Sequence, residues 1–205
     1  FFSEVVGSFD RSDVTWSSGQ ELTLPTGKKV EADFILWYQR KQILEPDHPT
    51  EVVFGEAKSL GKDVFKDDDV ERMKVLAEAF PGAVLVFATL KEAAQLSKNE
   101  VSRIRILAEW GRHYDRANRR TRAPVILLTG TELFTPHSLQ ESWKSKGGKR
   151  AALIESGHVD IRHLPTLADF TQQVYLGMPS YHEWSEARWK KRGERRKPRA
   201  PQRER

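Results

Sequence analysis

The chain has 205 residues, of which 38% are hydrophobic and 31% are charged, and its formal net charge is +5. This length suffices for one domain with a sizeable core but not for two ordinary domains, and the composition indicates a soluble globular protein. Cysteine is absent, which excludes disulfides, thiolate zinc sites, iron–sulfur clusters and cysteine nucleophiles, and fits a reducing cytoplasm. The longest apolar stretch, 83–90, is too short to cross a bilayer, so neither secretion nor membrane insertion is expected.

The positive charge is concentrated at the end of the sequence. Residues 188–205 hold ten lysines and arginines and two glutamates, a net charge of +8, whereas residues 1–187 carry a net charge of −3. The stretch 192–205 has no aliphatic side chain larger than alanine and cannot form a core. We therefore predict one domain over 1–187 and a basic, flexible tail over 188–205. A solvated terminus and a phosphate-binding arm explain this tail equally well.

Five apolar stretches predict strands in the first two thirds of the chain. They cover 14–24, 32–38, 51–58, 83–89 and 124–129. The stretches 84–87 and 125–128 are apolar at every position. Such runs are typical of strands covered on both faces, and therefore of a sheet that lies between layers of helices.

Helices are predicted between and after these strands. A helix over 67–80 begins with three aspartates, and a capping box of Ser97 and Glu100 begins the next helix. Later helices are predicted to start at Thr135-Pro136, Pro165 and Ser180, and the last of them runs into the basic tail. The order of elements predicts an α/β (α+β) domain, with a central mixed sheet flanked by helices and followed by C-terminal helices.

The second and third predicted strands carry side chains that can do chemistry. Glu56 and Lys58 lie on the same face of their strand, about 6.6 Å apart, because side chains alternate along a strand. The polar connection between the two strands predicts an antiparallel hairpin with a long loop. If Tyr38 opposes Glu51 in that hairpin, Asp33 lies directly opposite Glu56.

Two carboxylates opposed in this way, Asp33 and Glu56, repel one another unless a proton or a cation lies between them. Oxygen ligands without cysteine or histidine nearby favour Mg²⁺, with Mn²⁺ as a substitute, over zinc. Such an ion would bring a nucleophilic water to a phosphodiester. Lys58 could orient or deprotonate that water, or neutralise the charge that develops on phosphorus, and Gly55 is expected to leave the backbone open to close approach. The alternative is an ordinary surface pair of Glu56 and Lys58 on an edge strand, with Asp33 capping its own strand.

The same residues form a motif. Asp33 enters a hydrophobic strand, and after the hairpin come two hydrophobic residues, then Gly55-Glu56-Ala57-Lys58 and a helix. This pattern resembles the PD-(D/E)xK, or restriction-endonuclease-like, nuclease superfamily. The motif covers residues 33–58, and the order of elements extends the resemblance to about residue 89. Ala32 stands where the named pattern of the superfamily has proline.

The resemblance implies a restriction-endonuclease-like core with a metal site. Asp33, Glu56 and the backbone carbonyl of Ala57 would be the metal ligands, and Lys58 would be the catalytic lysine. The superfamily also commonly has an acidic residue on a helix before the first core strand, and Glu4 is the candidate for that place.

Two functions are compatible with these residues. The first is a Mg²⁺-dependent nuclease that hydrolyses the phosphodiester bonds of DNA with an activated water, in phage defence or DNA repair. The second is a non-catalytic nucleic-acid-binding or assembly module with a nuclease-like fold, within a larger repair or defence protein. The expected partner is nucleic acid, with DNA preferred. The form of the substrate, fusion to other domains and the oligomeric state stay open.

Three further groups of residues have competing explanations. Asp69 and Arg72 could reach the site from the first turn of their helix, but a solvated ion pair between positions i and i+3 explains them better. The helix dipole accounts for only one or two of the arginines Arg112, Arg116, Arg119, Arg120 and Arg122. Core or domain contacts are predicted, in preference to base stacking beside a basic surface, for the tryptophans Trp110, Trp143, Trp184 and Trp189.

Overall fold

The apolar stretches of the sequence form one five-stranded sheet in a computed structural model, which describes residues 12–40, 50–135, 138–157 and 163–195. The strands in chain order are β1 (Ser12–Thr23), β2 (Lys29–Arg40), β3 (Glu51–Lys58), β4 (Val84–Thr89), β5 (Tyr114–Asp115), β6 (Arg120–Thr121) and β7 (Val125–Leu128). The sheet order is β1-β2-β3-β4-β7, and β5 and β6 form a separate hairpin. The five long strands match the predicted ones, whereas the short hairpin has no apolar pattern that predicts it.

The sheet is mixed because its two halves have different connections. β1, β2 and β3 are joined by hairpins and pair antiparallel. β3, β4 and β7 are joined through helices and pair parallel. The two strands that are apolar at every position, β4 and β7, are buried along their whole length.

Helices cover the sheet and follow it. They are α1 (Asp67–Ala79), α2 (Lys98–Gly111), α3 (Gly130–Leu133), α4 (Leu139–Lys146), α5 (Gly148–Glu155), α6 (Leu164–Tyr175) and α7 (Tyr181–Arg195), with a 3₁₀ turn at Ala93–Gln95. Ser97 and Glu100 form the predicted capping box of α2. Within the described ranges, no helix has both the length and the apolar character that crossing a membrane requires.

The structure differs from the predicted helix starts in the region between residues 135 and 155. The helix expected at Thr135-Pro136 begins at Leu139, and Pro136 lies outside the described residues. Gly147 then takes a φ of 67°, which ends α4 and separates it from α5, a helix that the sequence did not predict. The last helix enters the basic segment as predicted and ends at Arg195. Residues 196–205 and Glu4 lie outside the described residues.

Apolar side chains of the helices bury both faces of the sheet. Met73 and Leu76 of α1 pack with Ile104 and Leu107 of α2 on the face that includes Phe54. The opposite face is covered from α4, α5 and α6 by Trp143, Ile154, Leu167 and Phe170. This arrangement confirms the predicted fold class, a central mixed sheet between layers of helices.

Candidate active site

The hairpin of β2 and β3 has the register that the sequence predicts. The pairs run from Phe34 opposite Gly55 to Tyr38 opposite Glu51. Tyr38 also donates a short hydrogen bond from its hydroxyl to Glu51, which ties the far end of this pairing. The register prediction is therefore confirmed, and it brings the start of the motif on β2 next to its end on β3.

Asp33 lies one residue beyond the paired part of β2. Its Oδ2 accepts a hydrogen bond of 2.6 Å from the backbone N–H of Ala57 on β3. The side chain is thus tied to the neighbouring strand, and not to the start of its own strand. The charge of Asp33 is close enough to contribute to a raised pKa of Glu56. Its Oδ1 accepts no hydrogen bond from the described residues.

Glu56 is buried, with only 2% of its surface exposed, on an interior strand of the sheet. Lys58 donates a 2.6 Å hydrogen bond to Oε1 of Glu56. The Lys58 ammonium also lies 3.3 Å from Oδ2 of Asp69. The alternative of an exposed pair on an edge strand is therefore wrong.

Asp69 and Arg72 of α1 complete this cluster. Arg72 donates from Nη2 to both oxygens of Glu56, at 3.0 and 2.9 Å, and to Oδ1 of Asp69, at 2.8 Å. Asp69 is only 4% exposed, and its Oδ2 accepts a hydrogen bond from the backbone N–H of Lys66. The solvated ion pair that the sequence favoured is wrong, because both residues point toward β3. These contacts form because α1 packs on the face of the sheet that carries Glu56.

Burial and charge shift the pKa values of the cluster in different directions. Burial raises the pKa of Glu56, and Asp33 and Asp69 add to the effect, against hydrogen bonds from Lys58 and Arg72. Burial would also raise the pKa of Asp69, but hydrogen bonds and positive charge around it lower that pKa. Burial opposes the charge of Lys58, yet Glu56 and Asp69 outweigh it and raise the pKa of Lys58.

The donors of the cluster fit Mg²⁺ in type, since carboxylates and carbonyls are the ligands that this ion prefers. The side chains of Asp33 and Glu56 interact electrostatically, and Oδ1 of Asp33 accepts no hydrogen bond from the described residues. Both oxygens of Glu56, however, are engaged by Arg72. In the described part of the chain, no three His, Asp or Glu side chains form a group that could hold a metal. An ion at this place therefore requires Arg72 to leave Glu56.

Gly55 has a different role from the one expected. A Cβ atom at this position would lie 1.9 Å from Cζ of Phe34. The ring of Phe34 thus covers the backbone of Gly55 on the face opposite Glu56. The glycine makes room for this ring and does not leave the backbone open to a ligand.

Buried polar contacts hold the connection between β3 and α1. Glu100 accepts a 3.3 Å hydrogen bond from the backbone N–H of Phe65 and also binds Ser97. Lys91 lies 3.8 Å from Glu100 and donates to the backbone carbonyl of Asp63. Glu100 of α2 therefore helps to hold the connection between the strand that carries Glu56 and the helix that carries Arg72.

Comparisons with known proteins give one structural likeness. No protein-family model and no curated protein matches the chain. Among solved structures, the chain is similar to the MspJI restriction endonuclease in complex with a 27-mer oligonucleotide, with 21% identity and a TM-score of 0.35. The match covers 71% of this chain and 27% of the other, so the chain spans about a quarter of that protein. At this level of similarity, the likeness does not assign the chain to a family.

Proposed function

We propose that the chain is a metal-dependent nuclease that hydrolyses phosphodiester bonds of DNA. The observation that carries the proposal is the convergence of Asp33, Glu56 and Lys58 at one end of the β2–β3 hairpin. Asp33 binds β3 at Ala57, and Lys58 binds Glu56. A buried glutamate next to a second carboxylate and an ammonium is costly to a fold, and such arrangements are concentrated at functional sites.

Asp33, Glu56 and the backbone carbonyl of Ala57 are the proposed ligands of Mg²⁺, for which Mn²⁺ can substitute. Bound there, the ion would supply a Lewis acid and an acidic water for attack on phosphorus. The chain's own contribution is to hold these oxygens on two paired strands, which fixes their separation. Lys58 places an ammonium beside Glu56, where it can donate a hydrogen bond to a phosphate oxygen as negative charge develops.

Arg72 is the proposed counter-ion of Glu56 before the metal binds. Its Nη2 contacts both oxygens of Glu56, while its Nε is buried without a hydrogen-bond partner. Because only one nitrogen contacts Glu56, this contact is weaker than a two-nitrogen arginine–carboxylate pair. The buried Nε, a donor without an acceptor, adds a cost of about 1–3 kcal/mol to this position of Arg72. This leaves Arg72 displaceable from Glu56 and able to meet an incoming phosphate.

The test is cleavage of plasmid DNA and of single-stranded DNA in Mg²⁺, in Mn²⁺ and in EDTA. We expect cleavage with either metal, none in EDTA, and a loss of at least about a hundred-fold in Glu56→Gln and Lys58→Ala. Asp68→Asn, an exposed acid in the first turn of α1, and Lys62→Ala in the preceding connection are the matched controls and should cleave normally. Full cleavage by Glu56→Gln would end the proposal.

A second candidate is a non-catalytic nucleic-acid-binding module with the same fold. The observation that favours it is the pairing of Glu56 with both Lys58 and Arg72, which already neutralises the carboxylate. This candidate predicts DNA binding that is the same in Mg²⁺ and in EDTA and that falls steeply with salt. It also predicts no cleavage under any of these conditions.

A further inference from the structure

A polar groove lies between the β5–β6 hairpin and α7. Its volume is about 630 Å³, within the range of ligand-binding clefts. Arginine and aromatic side chains contribute most of its lining, among them Tyr114, Arg116, Arg122, Trp184, Arg188 and Trp189. No aspartate or glutamate lines it among the residues that the structure describes. The groove therefore concentrates positive charge beside aromatic rings.

Three arginines of the groove, Arg116, Arg122 and Arg188, form no salt bridge within the described ranges of the chain. Asp115 is close enough to Arg122 for the two charges to interact, and Nη1 of Arg188 lies 2.8 Å from Nε2 of His113. The guanidinium of Arg122 lies over the ring of Trp110, 5.2 Å from its centroid. That of Arg188 lies 4.8 Å from the centroid of Trp184. Contacts with aromatic faces orient these groups and leave their charge available to an anion.

The aromatic residues of the groove are open to solvent. Trp189 is 69% exposed and Tyr114 is 59% exposed. Trp184 is half-buried and packs against the rings of His113 and Tyr181. The prediction of a core role is therefore wrong for Trp189, whereas a contact with another domain stays a prediction. Exposure beside a basic surface is the condition that base stacking requires, and the groove meets it.

We propose that this groove binds a single-stranded segment of nucleic acid. The arginines would bind successive phosphates, and Trp189 and Tyr114 would stack on unpaired bases. A duplex would offer its phosphates but not the faces of its bases, and an acidic peptide would offer only charge. Only unpaired nucleotides use both properties of the groove.

The groove is separate from the proposed cleavage site. The backbone N–H of Gly82, just before β4, bonds to the carbonyl of Arg122. Lys58 pairs with Thr89 at the other end of β4. The two ends are about 20 Å apart at the rise of an extended strand. Binding in the groove therefore goes beyond the proposed cleavage and can be measured without it.

The experiment is a fluorescence anisotropy titration of the full chain in EDTA, which prevents any metal-dependent cleavage. The probes are labelled oligodeoxythymidylate, oligouridylate and a duplex of equal length, and polyglutamate serves as an unlabelled competitor. Trp189→Ala should weaken binding of the single strands about 5- to 100-fold. Arg116→Gln should lower the slope of log K against log salt by about 0.7 between about 50 and 200 mM salt.

The controls separate the groove from other exposed parts of the fold. Trp16→Ala removes a tryptophan that is 65% exposed on β1, and Arg105→Gln removes an exposed arginine of α2. Both should bind as the parent chain does. Unchanged affinity in Trp189→Ala overturns the proposal, as does a duplex bound as tightly as the single strands or equal competition by polyglutamate. Comparison of the deoxy and ribo strands identifies which nucleic acid the groove prefers.

Discussion

Arg72 donates from a single nitrogen to both carboxylate oxygens of Glu56, at 3.0 and 2.9 Å. The cluster around this contact contains three carboxylates, of Asp33, Glu56 and Asp69, and two cations, of Lys58 and Arg72. Its formal charge is therefore −1 with all five groups ionised. Removal of Arg72 would leave one ammonium among three carboxylates, and that excess charge is what a divalent ion would neutralise.

Arg72→Gln should make the stability of the fold depend on metal. In EDTA we expect the free energy of unfolding to fall by about 1–3 kcal/mol. The loss is smaller than for a fully buried pair because the Arg72 side chain is 35% exposed. Added Mg²⁺ should stabilise the variant more than the parent chain, since the ion no longer competes with a guanidinium for Glu56. Urea unfolding in Mg²⁺ and in EDTA measures both effects.

Lys74→Gln is the matched control for this prediction. Lys74 lies on the same helix and pairs at 3.6 Å with the exposed Glu78. Its loss should change the free energy of unfolding by less than about 0.5 kcal/mol, with no dependence on Mg²⁺. An equal response of Arg72→Gln and of the parent chain to Mg²⁺ would show that Arg72 does not occupy an ion site.

Gly55→Ala should destabilise the fold although the backbone there is an ordinary strand. The new methyl group would lie 1.9 Å from the Phe34 ring, so the ring must move. Overpacking of this kind costs about 1–3 kcal/mol in the free energy of unfolding. In the Phe34→Ala background, Gly55→Ala should lower the free energy of unfolding by less than it does in the parent chain, because the ring is no longer there. Strictly additive effects in a urea double-mutant cycle would argue against this contact.

The pairing of β2 with β3 could be predicted from sequence because both strands obey simple rules. Alternation places Glu56 and Lys58 on one face, and the placement of Tyr38 opposite Glu51 fixes every other pair. The same rules do not predict which side chain covers Gly55 on the opposite face of the sheet. A ring from the paired strand can fill that space, and only coordinates show that Phe34 does so.

The contacts of α1 could not be predicted because they depend on how a helix docks on the sheet. An aspartate and an arginine at positions i and i+3 suggest a local ion pair, and Asp69 and Arg72 do form one at 2.8 Å. Their further contacts with Lys58 and Glu56 come from the rotation of α1 on the sheet. The contacts of charged residues near the start of a helix therefore cannot be assigned until it is known which part of the sheet the helix covers.

Glu100→Gln should reduce stability at neutral pH but not in acid. Burial would raise the pKa of Glu100, but hydrogen bonds from Ser97 and Phe65, with the charge of Lys91, lower it from its ordinary value of 4.5. Because the folded-state pKa is lowered, the contribution of the carboxylate is fully present above pH 4.5. It is lost as the pH falls through the folded-state pKa below 4.5.

Urea unfolding of the parent chain and of Glu100→Gln from pH 7 to pH 3 tests this dependence. The difference between the two free energies of unfolding should be constant above pH 4.5 and shrink below it. Glu109→Gln, an exposed glutamate on the same helix, is the control and should differ from the parent by less than about 0.5 kcal/mol. A difference that does not change with pH would assign the effect to packing of the amide.

The arginines that follow α2 divide into one structural residue and an exposed set. Arg112 is 5% exposed and donates to Gln172 at 2.6 Å, to the carbonyl of Pro179 at 2.7 Å and to Asp169 at 2.8 Å. Arg116 is exposed and lines the groove beside α7. Arg112 also lines that groove, but its guanidinium is engaged by these three acceptors.

Arg112→Met should destabilise the fold by about 2–4 kcal/mol, because Asp169 and Gln172 lose the donor that satisfies them. Arg112→Lys should recover little of this loss, since one ammonium cannot reach three acceptors in different directions. Arg116→Gln should leave the free energy of unfolding within about 0.5 kcal/mol of the parent, because an exposed arginine holds nothing in place. Thermal and urea unfolding of the three variants separate the two roles. A parent-like midpoint for Arg112→Met would show that α6 and α7 do not depend on this side chain for their position.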